Sequence, residues 1–210
     1  MISKFEELLN EKHKFDVMPR LSLDFHLYVP ILLKKKVKEE DKIKISPEGL
    51  VESEVKFVED LRRFVKENED KLKHYEIYLL RNLSKSGIGF QLTWAGFYPD
   101  FIMWIKKDNE QTIVFIDPKG LVHDKSLDNE KIVFAGTRGY IGNGLVTIKT
   151  IEKRLNNPNI RLESFILSAT EYKKLVENVI NAPSKNDYEQ SHVLFLDDKE
   201  WCKKLSLIHI

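Results

Sequence analysis

The chain has 210 residues, 42% hydrophobic and 10% aromatic, enough for one well-buried core and short for two domains of ordinary size. No apolar run approaches the roughly 20 residues of a membrane span, and the N-terminus is polar and charged where a signal peptide is apolar, so the expected location is the cytoplasm. With 34 basic and 33 acidic residues the net charge is +1, which excludes the footprint of an autonomous tight nucleic-acid binder, while the single Cys202 and six scattered histidines exclude an internal disulfide and a multi-cysteine zinc site.

Phe5, Leu8, Leu9 and Phe15, separated by charges, predict a short amphipathic helix. Leu21 to Leu33 is apolar with Pro30 near its end, and the Lys34 to Lys38 run followed by Glu39, Glu40 and Asp41 has the mixed charge of a solvated loop. Residues 1–48 therefore read as a connector packed on the core. Ile45-Ser46-Pro47-Glu48 predicts a helix start, with Ser46 at the N-cap and Pro47 at the first helical position, running to about Asn68. Val51, Phe57, Val58, Leu61, Phe64 and Val65 fall on one broad apolar face at about 100° per residue, and Glu54 lies in the middle of it. A lone carboxylate there costs several kcal/mol; pairing with a buried Arg or Lys and binding of a metal ion are the two ways out.

Tyr75 to Leu80 predicts a strand, closed by the polar loop Arg81 to Gly87, whose Arg81 and Lys85 are candidates for phosphate contacts or plain surface charges. Phe90 to Tyr98 contains Trp94, Phe97 and Tyr98, expected in the core. Two apolar runs then flank a polar break, Lys106 to Gln111, centred on Asp108-Asn109, which tolerate the positive φ of a tight hairpin turn. With those two in the turn, Lys107 faces Glu110, Trp104 faces Ile113, Ile102 faces Phe115, and Asp100 faces Asp117. Period-two alternation points Lys119 the same way as Asp117. Facing Cβ atoms lie only about 5 Å apart, so opposed carboxylates destabilise the pair unless a cation sits between them. Asp-Pro-Lys-Gly, residues 117–120, also suits a β-turn, and a strand can deliver Asp117 and turn just beyond it. Both faces of both strands are apolar, which predicts helices on each side of the sheet.

His123 to Gly144 is less regular and reads as a loop, with Arg138 and Tyr140 as candidate substrate contacts; its glycine spacing fits neither a dinucleotide nor a nucleotide-triphosphate loop. A helix over Leu145 to Leu155, a strand over Leu162 to Ser168, a helix capped by Thr170 and running through Ile180, a loop over Pro183 to Gln190, a strand over His192 to Leu196 and a terminal helix or tail from Trp201 complete a mixed α/β domain of at least four strands.

Pro99-Asp100, Asp117-Pro118-Lys119 and the upstream Glu54 resemble the motif of the PD-(D/E)XK nuclease superfamily, over about Leu50 to Ser168. The wording Leu-Leu-Arg-Asn-Leu, Phe-Tyr-Pro-Asp-Phe-Ile and Val-Phe-Ile-Asp-Pro-Lys-Gly is similar to the C-terminal nuclease domain of type III restriction-like DEAD/DEAH helicases. The resemblance implies a restriction-endonuclease-like α/β core, helix, three antiparallel strands, helix and fourth strand, over residues 49–198, with 199–210 as a tail. It implies a metal-dependent endonuclease acting on DNA, a component of a restriction or phage-defence helicase-nuclease. Asp100, Asp117 and the Pro118 carbonyl would bind Mg²⁺ or Mn²⁺, Glu54 would complete the shell, and Lys119 would orient the attacking water. The chain has no nucleotide-triphosphate loop, so the ATPase partner would be a separate superfamily 2 helicase domain or subunit. The alternative is a non-catalytic DNA-binding or helicase-docking module that retains the nuclease fold, and RNA in place of DNA shares the chemistry.

Overall fold

The two apolar runs around Asp108-Asn109 fold back on each other and form the middle of a twisted sheet. The computed structural model describes residues 20–24, 27–31, 50–83, 85, 87–92, 96–121, 126–136, 146–177 and 179–206. In chain order these form β1 (Arg20–Asp24), β2 (Leu27–Ile31), α1 (Glu52–Glu67), a short α2 (Glu69–Leu72), β3 (Glu76–Arg81), β4 (Phe90–Gln91), β5 (Gly96–Phe97), β6 (Phe101–Lys107) and β7 (Glu110–Lys119). They continue with α3 (Glu130–Ala135), α4 (Ile148–Leu155), β8 (Ile160–Ser168), α5 (Tyr172–Val176), α6 (Lys185–Gln190), β9 (Val193–Phe195) and α7 (Trp201–Ser206).

Seven of the described strands make one mixed sheet in the order β1-β2-β3-β6-β7-β8-β9, and β4 pairs with β5 apart from it. β6 runs antiparallel to both β3 and β7, whereas β8 runs parallel to β7 and β9 parallel to β8. On one face Ile77, Leu79, Phe101, Met103, Ile105, Val114 and Ile116 pack with Phe57, Val58, Leu61 and Val65 of α1 and with Trp201, Cys202 and Leu205 of α7. On the other, Ile102 and Phe115 pack with Phe134 of α3 and Ile148 of α4. The chain is thus an α/β protein with a mixed central sheet flanked by helices, as alternating burial on both strand faces requires.

Several boundaries differ from the sequence expectation, each for a local reason. α1 starts at Glu52, with Val51 extended before it; Ser46 and Pro47 lie outside the described residues. Val51 has no polar side chain, so only one half of a capping arrangement forms: Val51 N–H donates to Glu54 Oε2 at 2.8 Å. Thr170 does not cap α5, because its Oγ1 already accepts from Leu121 N at 3.2 Å, and the helix is confined to Tyr172–Val176. The stretch expected as a loop after Pro183 contains α6, started by Ser184 and Asp187, which accept each other's backbone N–H at 3.2 and 2.9 Å. The apolar stretch after Arg20 contributes β1 and β2, and β2 joins the sheet parallel to β3. Phe5 to Phe15 and the charged run after Lys34 lie outside the described residues.

Candidate metal centre

β6 and β7 pair with Lys107 opposite Glu110, Trp104 opposite Ile113, Ile102 opposite Phe115 and Phe101 opposite Ile116. Asp108 takes φ 51° in the turn, a conformation that Asp tolerates better than most residues. One step further out, the same register sets Asp100 against Asp117. Asp117 is only 5% exposed, held between β6 and β8, where it pairs with Ile166. Its Oδ2 is buried without a hydrogen-bond partner.

The two carboxyls interact strongly. Burial first, then the charge of Asp117 and a hydrogen bond to it, and then the charge of Glu54 push Asp100 up to about 8, while Lys131 pulls the other way. Two acids so close resist ionising together, so Asp100 keeps its proton to higher pH than a free aspartic acid does. A divalent cation between the strands would take the place of that proton.

The first turn of α1 lies over the end of β7, with Ser53 Oγ donating to Pro118 O at 3.3 Å. This brings Glu54 to the strand ends, buried as its place on the apolar face predicts. Glu54 Oε2 accepts from Val51 N and lies 3.6 Å from Arg81 Nη2. Of the two ways out of the burial cost of Glu54, the basic partner is present in Arg81, while the charge of Glu54 is near enough to help raise the Asp100 carboxyl. Arg81 is not in the loop but ends β3, opposite Phe101, and its guanidinium is turned inward to Glu54. Lys119 closes β7, half-buried, two residues beyond Asp117 and so on the same face. Lys85 is exposed in the loop after β3 with φ 64°. Arg138 and Tyr140 lie outside the described residues.

Two residues beside the site were not among the candidates read from the sequence. Asn82, just after β3, is buried and ties the loop to the strand entry at Asp100: its Nδ2 donates to Ile88 O at 2.7 Å and Pro99 O at 2.8 Å, its Oδ1 accepts from Ile88 N at 2.9 Å, and its backbone N–H donates to Asp100 O at 2.7 Å. Gly87 leaves room for that amide, since a Cβ there would stand 2.1 Å from Asn82 Oδ1. Lys131, on α3, places its Nζ 3.9 Å from Asp117 Oδ2. An Asn directly after a strand that leads into a motif loop was the only available cue for the first; the second fell in a stretch without periodicity.

Among the described residues no group of three or more His, Cys, Asp or Glu side chains is gathered as a metal cage. The donor set is two facing carboxyls and the nearby Pro118 carbonyl. That set fits Mg²⁺ or Mn²⁺, which commonly take one or two carboxylates and keep several waters, and does not fit zinc. In comparison with known proteins, no family model, no curated protein and no solved structure matches the chain.

Proposed function

We propose that the chain is a Mg²⁺- or Mn²⁺-dependent nuclease module that hydrolyses DNA phosphodiester bonds, with a restriction-endonuclease-like core of the PD-(D/E)XK kind. The observation that carries this reading is the facing pair at adjoining strand ends, Asp117 buried and Asp100 half-buried, with Glu54 close enough to raise the Asp100 carboxyl. Such a pair has no use in holding the sheet together, because opposed like charges weaken it. When bound, the cation would supply Lewis-acid stabilisation of the charge that builds on the attacked phosphate. Asp100, Asp117 and the Pro118 carbonyl would hold it, and Glu54, fixed by Val51 N and Arg81, would keep the field at the site negative. Lys119 would orient the attacking water from the same face of β7 as Asp117. Asn82 would hold Asp100 in line by fixing Pro99 and the backbone of Asp100 itself. A superfamily 2 helicase domain or subunit as partner, in a restriction or phage-defence setting, is consistent with the net charge of +1, which leaves DNA delivery to another binder.

The test is cleavage of plasmid DNA by the purified protein with Mg²⁺, Mn²⁺ or EDTA. Cleavage is expected only with metal, and Asp117→Ala or Lys119→Ala is expected to reduce it by about a thousandfold or more. Equal cleavage by wild type and both variants would overturn the assignment. A second reading, a nuclease-like scaffold that binds DNA or docks on a helicase without turnover, is favoured by one observation: Glu54 has an internal partner in Arg81. Calorimetric titration with Mn²⁺ separates the two, since a scaffold of this kind has no need of the ion.

A further inference from the structure

Lys131 is anchored at its base and partly exposed at its tip. Asn129 caps α3 by accepting from Lys131 N at 3.0 Å, and Ile132, Phe134 and Ala135 bury the helix against the sheet. The Lys131 stem then reaches out so that its Nζ lies 5.6 Å from the centroid of the Phe97 ring and 3.9 Å from Asp117 Oδ2. At 3.9 Å the ammonium is too far to hydrogen-bond Asp117 Oδ2, which has no other hydrogen-bond partner. Its side chain remains 35% exposed, against 8% for that of Asp117. The charge therefore attenuates the field of the acid pair from the solvent side without filling its acceptor site. Two other partly buried cations are held at hydrogen-bond distance by acids, Lys149 by Glu163 at 2.5 Å and Lys204 by Asp198 at 2.7 Å.

Resting on the reading that Asp100 and Asp117 hold a divalent cation, we propose that Lys131 is a phosphate-binding residue of that site, which opposes the metal ion for Asp117 in the resting protein and binds the substrate phosphodiester once the ion is present. Two positive charges on one carboxylate repel each other, so Lys131 lowers metal affinity; a phosphodiester carries the negative charge that gives the ammonium a new partner. The exposed tip and the aromatic ring beneath it allow that exchange without movement of α3. The substrate class is a nucleic-acid backbone, recognised through its phosphates rather than its bases.

The experiment compares wild type, Lys131→Met and Lys131→Arg. Met keeps the apolar stem over Phe97 and removes the charge. Mn²⁺ affinity is measured by calorimetry without DNA, and the KM and kcat for DNA cleavage are measured at several salt concentrations. For Lys131→Met, Mn²⁺ is expected to bind about tenfold tighter, the KM for DNA to rise, and the plot of log KM against log salt to become shallower by about one phosphate contact. Lys131→Arg is expected to restore both. A loss of fold or a general loosening of the site lowers metal affinity and DNA affinity together, so opposite movement of the two is the signature. Weaker or unchanged Mn²⁺ binding by Lys131→Met, or an unchanged salt slope, would overturn the proposal while leaving the metal reading in place. A wild-type protein that binds no Mn²⁺ would overturn the metal reading, and this proposal with it.

Discussion

Asp100→Asn removes the raised carboxyl at the hairpin end and needs no substrate to test. In the folded chain the Asp100 carboxyl is pushed from its ordinary 3.8 up to about 8 by burial and by Asp117. Between those values the folded chain holds one proton more than the unfolded chain. The protonated acid's contribution to stability is therefore fully present below the unfolded pKa and is lost as pH rises toward the folded one. One proton corresponds to about 1.4 kcal/mol per pH unit, so the wild type should lose about 2–3 kcal/mol from this group between about pH 5 and about pH 7. Asparagine has the shape of the protonated acid, keeps a donor toward Asp117 and does not titrate. Urea unfolding in EDTA at the two pH values should therefore show the stability of Asp100→Asn gaining about 2–3 kcal/mol relative to wild type on going to the higher pH. Parallel behaviour, with a difference that changes by less than about 0.5 kcal/mol, would refute the raised carboxyl and with it the close approach of the two carboxyls. Saturating Mn²⁺ should then stabilise the wild type at the higher pH and leave the variant largely unchanged.

Asn82→Asp keeps the acceptor for Ile88 N but sets a second carboxylate oxygen against the carbonyls of Ile88 and Pro99. It is expected to cost about 2–4 kcal/mol in urea unfolding and to weaken Mn²⁺ binding about 10–100-fold by calorimetry. Gly87→Ala should act in the same direction, because its Cβ meets the Asn82 amide. Lys149→Met leaves the buried Glu163 without the ammonium 2.5 Å from its Oε1 and should cost about 3–5 kcal/mol in the same unfolding assay; adding Glu163→Gln should recover part of the loss.

The hairpin was legible because two simple constraints, a two-residue turn and period-two alternation, determine every facing pair back to the strand ends. One misplaced residue in the turn would have put Asp100 against Ile116 or Pro118. Glu54 was legible for a similar reason, as a charge out of place on an apolar helix face. Arg81 was readable only as a basic residue near a strand end; that it turns inward depends on the first turn of α1 bringing Glu54 beside it, a tertiary fact. Asn82 was hidden because its partners lie up to 17 residues away, at Pro99, and an asparagine in a polar loop looks like turn chemistry. Lys131 was hidden because α3 has only six residues, too short for a periodic pattern. The helix after Pro183 was open to reading, since Ser184 followed three residues later by Asp187 is a helix-start signature that the neighbouring proline made look like a loop.

Two groups of buried acids in this chain show why one of them points to function. Glu163, on β8, receives Lys149 Nζ at 2.5 Å, and Glu152 receives both Lys149 Nζ at 3.0 Å and Leu162 N–H at 2.5 Å. Lys149 Nζ also donates to Leu162 O at 2.9 Å, so the two side chains of α4 cover the part of the β8 edge that β9 does not reach. Each of these carboxylates has a hydrogen-bond donor on one oxygen, although Glu163 Oε2, like Asp117 Oδ2, is buried without one; burial pushes the His192 imidazole nearby down, so it stays neutral. The charges there have a structural use, closing a strand edge. At the hairpin end, Arg81 Nη2 stands 3.6 Å from Glu54 Oε2 and Lys131 Nζ 3.9 Å from Asp117 Oδ2, and burial with the neighbouring Asp117 pushes the Asp100 carboxyl up to about 8. A fold that can place a lysine at 2.5 Å from one buried carboxylate is capable of neutralising another. What sets the hairpin end apart is that two acids face each other there, an arrangement that a cation from solution would complete.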